Sequence, residues 1–285
     1  MPPPPQVLAL GSALCAAMAT FLIQRGLQRS NFYAGAWINV VVGAIAAWTA
    51  TLILVPWQAY TWRAVPYFVF SGVVGTAGGR LFRVLAIQRV GAPVAAAVNN
   101  LAPLVATGLA IVLLGEHVTL PILGGTLVIG VGTILLSLSG RYVGFRPRHL
   151  VYPFIAASCF GTVAIVRKLG LSTAGPLFDA AINVTAALLA STSFVAAFGN
   201  LGSLRCDRRS LLWFVAGGIA ENTGVFLVLL ALGGGDVSVV IPLAGTAPLF
   251  VLLIAYLFPS ESNRLNWRVI LGAMLIVLGV ALLTR

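Results

Sequence analysis

Apolar residues fill ten stretches of this chain, divided by short polar breaks: Val7–Gln24, Tyr33–Val55, Val65–Ile87, Ala92–Leu114, Leu120–Ser139, Leu150–Val166, Leu177–Phe198, Leu211–Leu232, Val237–Phe258 and Trp267–Leu283. Each is close to the ~20 residues that a helix needs to cross a hydrocarbon core of about 30 Å. Strands of a membrane barrel alternate apolar and polar positions, whereas these runs are continuous, so the pattern predicts helices. The breaks carry helix-ending chemistry: Gln24-Arg25-Gly26, Pro56-Trp57-Gln58, Gly91, Gly115-Glu116, Gly140-Arg141, Gly170, Arg208-Arg209 and Pro259-Ser260. Trp57, Tyr60, Trp62, Tyr142, Tyr152 and Trp267 stand at the edges, as an interfacial aromatic belt does. The first run has no positively charged start and no small-residue cleavage site, which predicts a retained span and not a signal peptide. Met1 to Pro5 reads as a short polyproline lead.

Composition removes the soluble alternative. Of 285 residues, 60% are hydrophobic and 8% charged, against roughly 25% charged in an ordinary soluble domain, and the mean hydropathy is +1.04. The net charge of +11 suggests a nucleic-acid partner only if the basic groups share one exposed face. They sit instead between apolar runs, so a lipid bilayer is the expected environment and no nucleic acid is expected. Three cysteines, Cys15, Cys159 and Cys206, offer neither a disulfide framework nor zinc-ligand spacing; no metal and no cofactor are expected.

The second half repeats the first. At an offset of 144, Cys15 meets Cys159 and Asn39 meets Asn183. At 145, Gly79 meets Gly224, Ala86 meets Ala231, Ala102-Pro103-Leu104 meets Ala247-Pro248-Leu249, and Glu116 meets Glu261. At 147, Gly125 meets Gly272 and Gly132 meets Gly279. Asn, Glu and Pro are scarce in spans, so their matches carry the inference of a duplicated five-helix unit. Five crossings are odd, so the second copy enters the membrane in the opposite sense. The expected fold is an all-α integral membrane protein of ten transmembrane helices, arranged as two inverted five-helix repeats. The expected boundaries are a tail at 1–6, a first repeat at 7–139, a loop at 140–149 and a second repeat at 150–283.

The pattern Gly79, Ala86, Gly91, Ala102-Pro103, Leu114-Gly115-Glu116, Gly125 and Gly132, repeated more loosely in the second half, resembles the EamA repeat of the drug/metabolite transporter superfamily. The second copy departs from it at Leu257-Phe258-Pro259-Ser260-Glu261, where no Gly precedes the Glu. The resemblance implies a basket around a central cavity, lined mainly by the first, third and fourth helices of each repeat. It says little about substrate, because the superfamily includes amino-acid and metabolite exporters, nucleotide-sugar carriers and sugar-phosphate exchangers. It also implies both termini in the cytosol. The basic residues point the other way: eleven (Arg25, Arg29, Arg89, Arg141, Arg146, Arg148, Arg205, Arg208, Arg209, Arg264 and Arg268) fall on one side and four (Arg63, Arg167, Lys168 and Arg285) on the other. The positive-inside rule then puts both termini outside.

An ionisable group deep in a span is costly and marks a functional hypothesis. Arg80 lies about 22 Å along the third span and Glu221 about 15 Å along the eighth. These two helices are equivalents in inverted copies, which places the two groups within roughly 7 Å of each other in depth. Arg80 could hold a carboxylate or phosphate through its fork of donors, and Glu221 a coupling proton or an amine. The alternative is a permanent ion pair bracing the repeats. Arg83, one turn on, is expected to snorkel to the interface, and Asp179 to sit near the interface at the start of its helix. Asn99, Asn100, Asn222 and Trp37 are candidate cavity-lining residues; the matched Asn39 and Asn183 are expected to bond between helices. Pro103 and Pro248 are candidate hinges, helped by Gly79 and Gly224. Glu116 and Glu261 are expected to orient loops.

No Gly-x-x-x-x-Gly-Lys-Ser/Thr loop, no His-Glu-x-x-His and no Gly-x-Ser-x-Gly motif is present. The six acidic residues are isolated, whereas metal-dependent prenyl or phosphoryl chemistry wants them clustered. The expected function is therefore not an enzyme's but secondary transport, in the export direction, of a small polar molecule, with amino acids or related amines first and anionic phosphorylated metabolites or lipid-linked phosphates second. A membrane enzyme or a structural or sensory membrane protein is the alternative from another class.

Overall fold

Proline opens the first helix of the computed structural model, which describes residues 3–56, 62–90, 95, 98–137, 147–198, 204, 206–257 and 267–284. Helix α1 (Pro5–Leu27) starts two residues before the apolar run, since proline at the first helical position loses no hydrogen bond. Helix α2 (Phe32–Leu54) follows, its first turn capped by Asn31, whose side chain accepts from Ala34 N at 2.9 Å. Helix α3 runs unbroken through Val65–Phe70, Ser71–Gly79 and Arg80–Val90, and its middle third is wound with wide π-type turns. The sequence Ser71-Gly-Val-Val-Gly-Thr-Ala-Gly-Gly79 has few side chains to oppose that winding, and π turns recur at functional sites.

The remaining elements are α4 (Ala102–Leu109 continuing as Ala110–Leu114), α5 (Leu120–Ser137), α6 (Val151–Leu171), α7 (Pro176–Phe198), α8 (Arg208–Gly234), α9 (Val237–Ala244 and Ala247–Leu257) and α10 (Trp267–Leu283). With α1 to α3 they make ten helical spans, and the described residues contain no strand. Of these, α1, α2, α6, α7 and α8 are by themselves long and apolar enough to cross a bilayer.

Packing follows the duplication. Helix α1 packs on α8 and α9, as α6 packs on α3 and α4; α2 lies on α7 and α8, as α7 lies on α2 and α3; α5 and α10 pair with each other. Each of these contacts has its counterpart with the repeats exchanged, which is the signature of an internal two-fold between inverted copies. Matched glycines make close approaches. Gly79 receives the Phe160 ring of α6, while Gly224 lies against Cys15 of α1; Gly132 meets the backbone of Gly272, and Gly125 that of Gly279. Small residues at such crossings let helices pack in lipid, where no hydrophobic force draws them together.

Helices α4 and α9 break at matched places. In α9 the helical ladder stops at Ala244, and turns from Thr246 N to Leu243 O and from Leu249 N to Thr246 O lead into the second segment. In α4 the same turns run from Leu101 N to Val98 O and from Leu104 N to Leu101 O. Pro103 and Pro248 were expected as mid-helix kinks. They instead occupy the first turn of the segment after each break, where a missing N–H costs no hydrogen bond. A further proline, Pro242, lies inside the first segment of α9. Glu261 and the expected breaks at Gly91, Gly140-Arg141 and Pro259-Ser260 lie outside the described residues.

Candidate functional site

Three helices bring their polar residues together at mid-depth. Arg80 projects from α3 just after the π-wound stretch, and its Nη2 donates to Glu221 Oε1 of α8 at 2.9 Å. Asn39 of α2 completes the group: its Nδ2 donates to Glu221 Oε2 at 2.6 Å, and its Oδ1 accepts from Arg80 Nη1 at 3.5 Å. Asn222, next to Glu221, donates to the Gly218 carbonyl at 2.7 Å and to the Asn39 carbonyl at 3.2 Å, which fixes α8 against α2. Gly43 of α2 lies directly against the Asn222 amide. Asn39 is buried, whereas the Arg80 and Glu221 side chains keep 24% and 29% of their accessible surface. The pair therefore has a side open to something other than protein.

The two-fold has a neutral counterpart to this group. Asn183, the equivalent of Asn39, donates to Ser71 Oγ at 2.5 Å and accepts from Thr76 Oγ1 at 3.0 Å. At the offset of 145, Thr76 is the equivalent of Glu221, and Val225 that of Arg80. Each copy thus uses its asparagine to clamp the third helix of the other, and only one copy adds charge. The equivalent contact in the other copy is made without charge.

The other sequence candidates divide by position. Asn99 precedes the break of α4 and Asn100 lies in it; the Asn99 Oδ1 is buried and has no hydrogen-bond partner among the described residues. Gly245, in the break of α9, packs on the Pro103 ring, so the two breaks face each other. Trp37 lies on α2 and donates from Nε1 to Thr192 Oγ1 of α7 at 3.0 Å. Arg83 is exposed and within electrostatic reach of both Glu221 and Arg80. Glu116 reaches from the end of α4 to the start of α9, accepting from Val237 N at 2.8 Å, Ser238 N at 3.0 Å and Ser238 Oγ at 2.6 Å. A carboxylate there satisfies donors that a helix start leaves open and complements its dipole.

Sequence reading did not anticipate two contacts of α6. Lys168 Nζ donates to the Leu232 and Gly235 carbonyls at 2.6 and 2.7 Å, closing the C-terminal end of α8. Arg167 Nε stands 3.9 Å from Asp179 Oδ2 of α7, whose carboxylate is wholly buried. Asp179 was expected near the interface at the start of its helix; it lies in the first turn of α7, and its complete burial there is what no local sequence signal marks. Among the described residues no group of three His, Cys, Asp or Glu side chains forms a metal site.

A search of curated proteins finds no match. A solved structure, titled only "Crystal structure of protein", matches with a TM-score of 0.83 at 18% identity, over 98% of this chain and 95% of that one; at that identity the likeness establishes the fold. The model of the EamA-like transporter family matches residues 4–138 and again 149–285, one match for each half of the two-fold. The chain belongs to the EamA-like transporter family, and is a multi-pass membrane transporter of the drug/metabolite transporter type.

Proposed function

We propose that this transporter exports small polar metabolites, amino acids or related amines first, by alternating access about a site at Arg80 and Glu221. The observation that carries the reading is the Arg80–Glu221 pair with Asn39 beside it: opposite charges 2.9 Å apart, partly open, and held by helices of both repeats. Arg80 offers a planar fork for a carboxylate and Glu221 an acceptor for an ammonium, so a zwitterion can exchange partners with the pair without leaving either charge bare. Asn39 and Asn222 supply amides at the same depth, and the facing breaks of α4 and α9 give irregular backbone of the kind that transporters place around a cavity. In this reading Pro103 and Pro248, with Gly79 and Gly224, form the pivots on which the repeats rock, and Trp37 and Asn100 lie within the moving shell.

The nearby Arg83 favours a second reading, in which two guanidinium groups take an anionic substrate such as a phosphorylated metabolite or a lipid-linked phosphate. The deciding measurement is thermal stability of the purified protein against amino acids, amines, phosphorylated metabolites and nucleotide sugars, run on wild type and Arg80→Gln. A ligand at a hundred times its dissociation constant adds about 2.7 kcal/mol. A shift confined to wild type supports the site and names the substrate class; equal shifts in both proteins return Arg80 to a bracing role.

Orientation is part of the proposal. We propose that the protein sits in the cell's inner or plasma membrane with both termini outside, a reading supported by the excess of basic residues on one side of the spans.

A further inference from the structure

A second charged pair lies away from Arg80 and Glu221, at the turn between α6 and α7. Asp179 is 0% exposed and Arg167 is 12% exposed. Both Asp179 oxygens and the Arg167 Nε are buried without a hydrogen-bond partner among the described residues, and at 3.9 Å the two groups attract without bonding. Buried polar atoms are almost always satisfied, so a buried carboxylate with no hydrogen bond calls for an occupant that relieves its charge.

The duplication shows that the fold does not need them. At the offset of 144, Ile23 is the equivalent of Arg167, and Gly35 that of Asp179. The first copy makes the same corner, with the Phe214 ring over Gly26 as the Phe68 ring lies over Gly170, and uses no charge there.

The chemistry selects the occupant. A metal cation wants several oxygen ligands, and here it would meet one carboxylate with a guanidinium beside it. An anion would meet the carboxylate. A proton needs a single oxygen. We propose that Asp179 is a proton-binding site of this transporter, alternating between a carboxylate paired with Arg167 and a neutral acid. Uptake forms one O–H bond at Asp179 and breaks one in the hydronium ion that delivers the proton, releasing water. The site passes from neutral to a single positive charge, and Arg167 is left buried without its counter-ion. An unpaired buried cation is strongly unfavourable, so protonation loosens the α6–α7 corner. That corner touches α3 directly: the Phe178 ring stands edge-on to Phe68, at a centroid separation of 6.3 Å. One turn along α7, Asn183 holds Ser71 and Thr76, one turn short of Arg80. The proposal rests on the transporter reading but not on Arg80 or Glu221 as the substrate site.

The charges around Asp179 are accounted for on every packed helix. On α6, Arg167 faces it, while Lys168 is bound to carbonyls of α8. Helix α2 carries no charge, and its Tyr33 stands at the far end. On α3 and the turn before it, Arg63 and Tyr67 are exposed, and Arg80, Arg83 and Arg89 lie in the other half of the helix. On α8, Glu221 is engaged with Arg80 and Asn39, and Arg208 and Arg209 lie at the opposite end.

Isotope-edited infrared difference spectroscopy on the full chain in lipid vesicles tests the assignment without knowledge of the substrate. The chain has three aspartates and three glutamates, so carboxyl-labelled aspartate separates the two classes in wild type, with no variant required. The expected result is a protonated-carboxyl stretch that grows from alkaline to mildly acidic pH, moves with labelled aspartate, disappears in Asp179→Asn and is retained in Asp179→Glu and Glu221→Gln. A band that moves with labelled glutamate, one that survives in Asp179→Asn, or no titrating band in folded wild type overturns the proposal. The ligand screen on Arg80→Gln reports separately on the substrate site.

Discussion

Glu221 receives Arg80 on one carboxylate oxygen at 2.9 Å and Asn39 on the other at 2.6 Å, so both oxygens are engaged by helices of the opposite repeat. That double attachment joins α8 of the second copy to α2 and α3 of the first at one point. A ligand that entered would have to replace at least one of these bonds, and its binding would then bear directly on how the repeats lie against each other.

Single neutralisations of the pair separate the substrate readings. Glu221→Gln should abolish transport of an amine-bearing substrate and spare an anionic one, while Arg80→Gln should abolish both. Uptake into vesicles measures this. Either change leaves a partly buried charge unpaired, at a cost of about 1–3 kcal/mol, so both proteins should remain folded by size-exclusion chromatography; loss of folded protein from both would mark the pair as a brace.

Glu116 makes three hydrogen bonds to the start of α9, two of them to backbone N–H groups that the helix cannot satisfy itself. Glu116→Ala should lower stability by about 1 kcal/mol, seen as a reduced thermal midpoint in detergent. Glu116→Gln keeps one acceptor oxygen and should fall between. Equal midpoints for Glu116→Ala and wild type would show that the cap is not used in solution.

Gly132 approaches the Gly272 backbone with no room for a β-carbon: one added there would lie 2.7 Å from the Gly272 carbonyl oxygen. Backbone cannot yield as a side-chain tip does, so Gly132→Ala should separate α5 from α10 and cost about 1–3 kcal/mol. Gly130, two residues away, has open space around its α-carbon, and Gly130→Ala is the control that should leave the thermal midpoint unchanged or raised.

The spans, the inverted duplication and the approach of Arg80 to Glu221 were all legible in the sequence, because each rests on long apolar periods or on depth counted along a helix. Interhelical bonding by Asn39 was expected and is found, but not that its partner is Glu221, since depth alone does not tell which face of α2 an amide occupies. The breaks in α4 and α9 were read as proline kinks: Pro103 and Pro248 mark the place, but whether the helix bends or stops is settled by packing, with Gly245 seated on Pro103. Burial of Asp179 escaped for the same reason. Its partner Arg167 precedes it by twelve positions across a turn, and the sequence gives no measure of how tightly that turn closes.

Asp207 caps α8, accepting from Ser210 N at 3.2 Å at the edge of the span. Hydrogen bonds from Ser210, first among the causes, with a smaller contribution from Arg29, hold its carboxyl below the ordinary 3.8. A carboxyl lowered by folding adds stability above its unfolded value and loses it as pH falls through the folded one. The thermal midpoint of wild type should therefore drop, relative to Asp207→Asn, as pH is taken below about 4. Parallel curves for the two proteins would remove the linkage.

Orientation follows from which charges share an end of the bundle. Pro5 at the start of α1 packs on Gly235 after α8, and Thr51 near the end of α2 bonds to Leu177 at the start of α7; with them stand Arg63, Arg167 and Lys168, and the acidic Glu116, Asp179 and Asp236. At the other end, where Ser210 bonds to the Gly26 carbonyl, stand Arg25, Arg29, Arg89, Arg148, Arg208, Arg209 and Arg268. Only basic residues near short loops weigh in the positive-inside rule, and they gather at the end away from the start of α1 and the finish of α10. A C-terminal alkaline-phosphatase fusion should then be active and a C-terminal fluorescent-protein fusion dark. A bright fluorescent fusion with inactive phosphatase would turn the molecule over and place the Glu116 cap and the Asp179 corner on the cytoplasmic side.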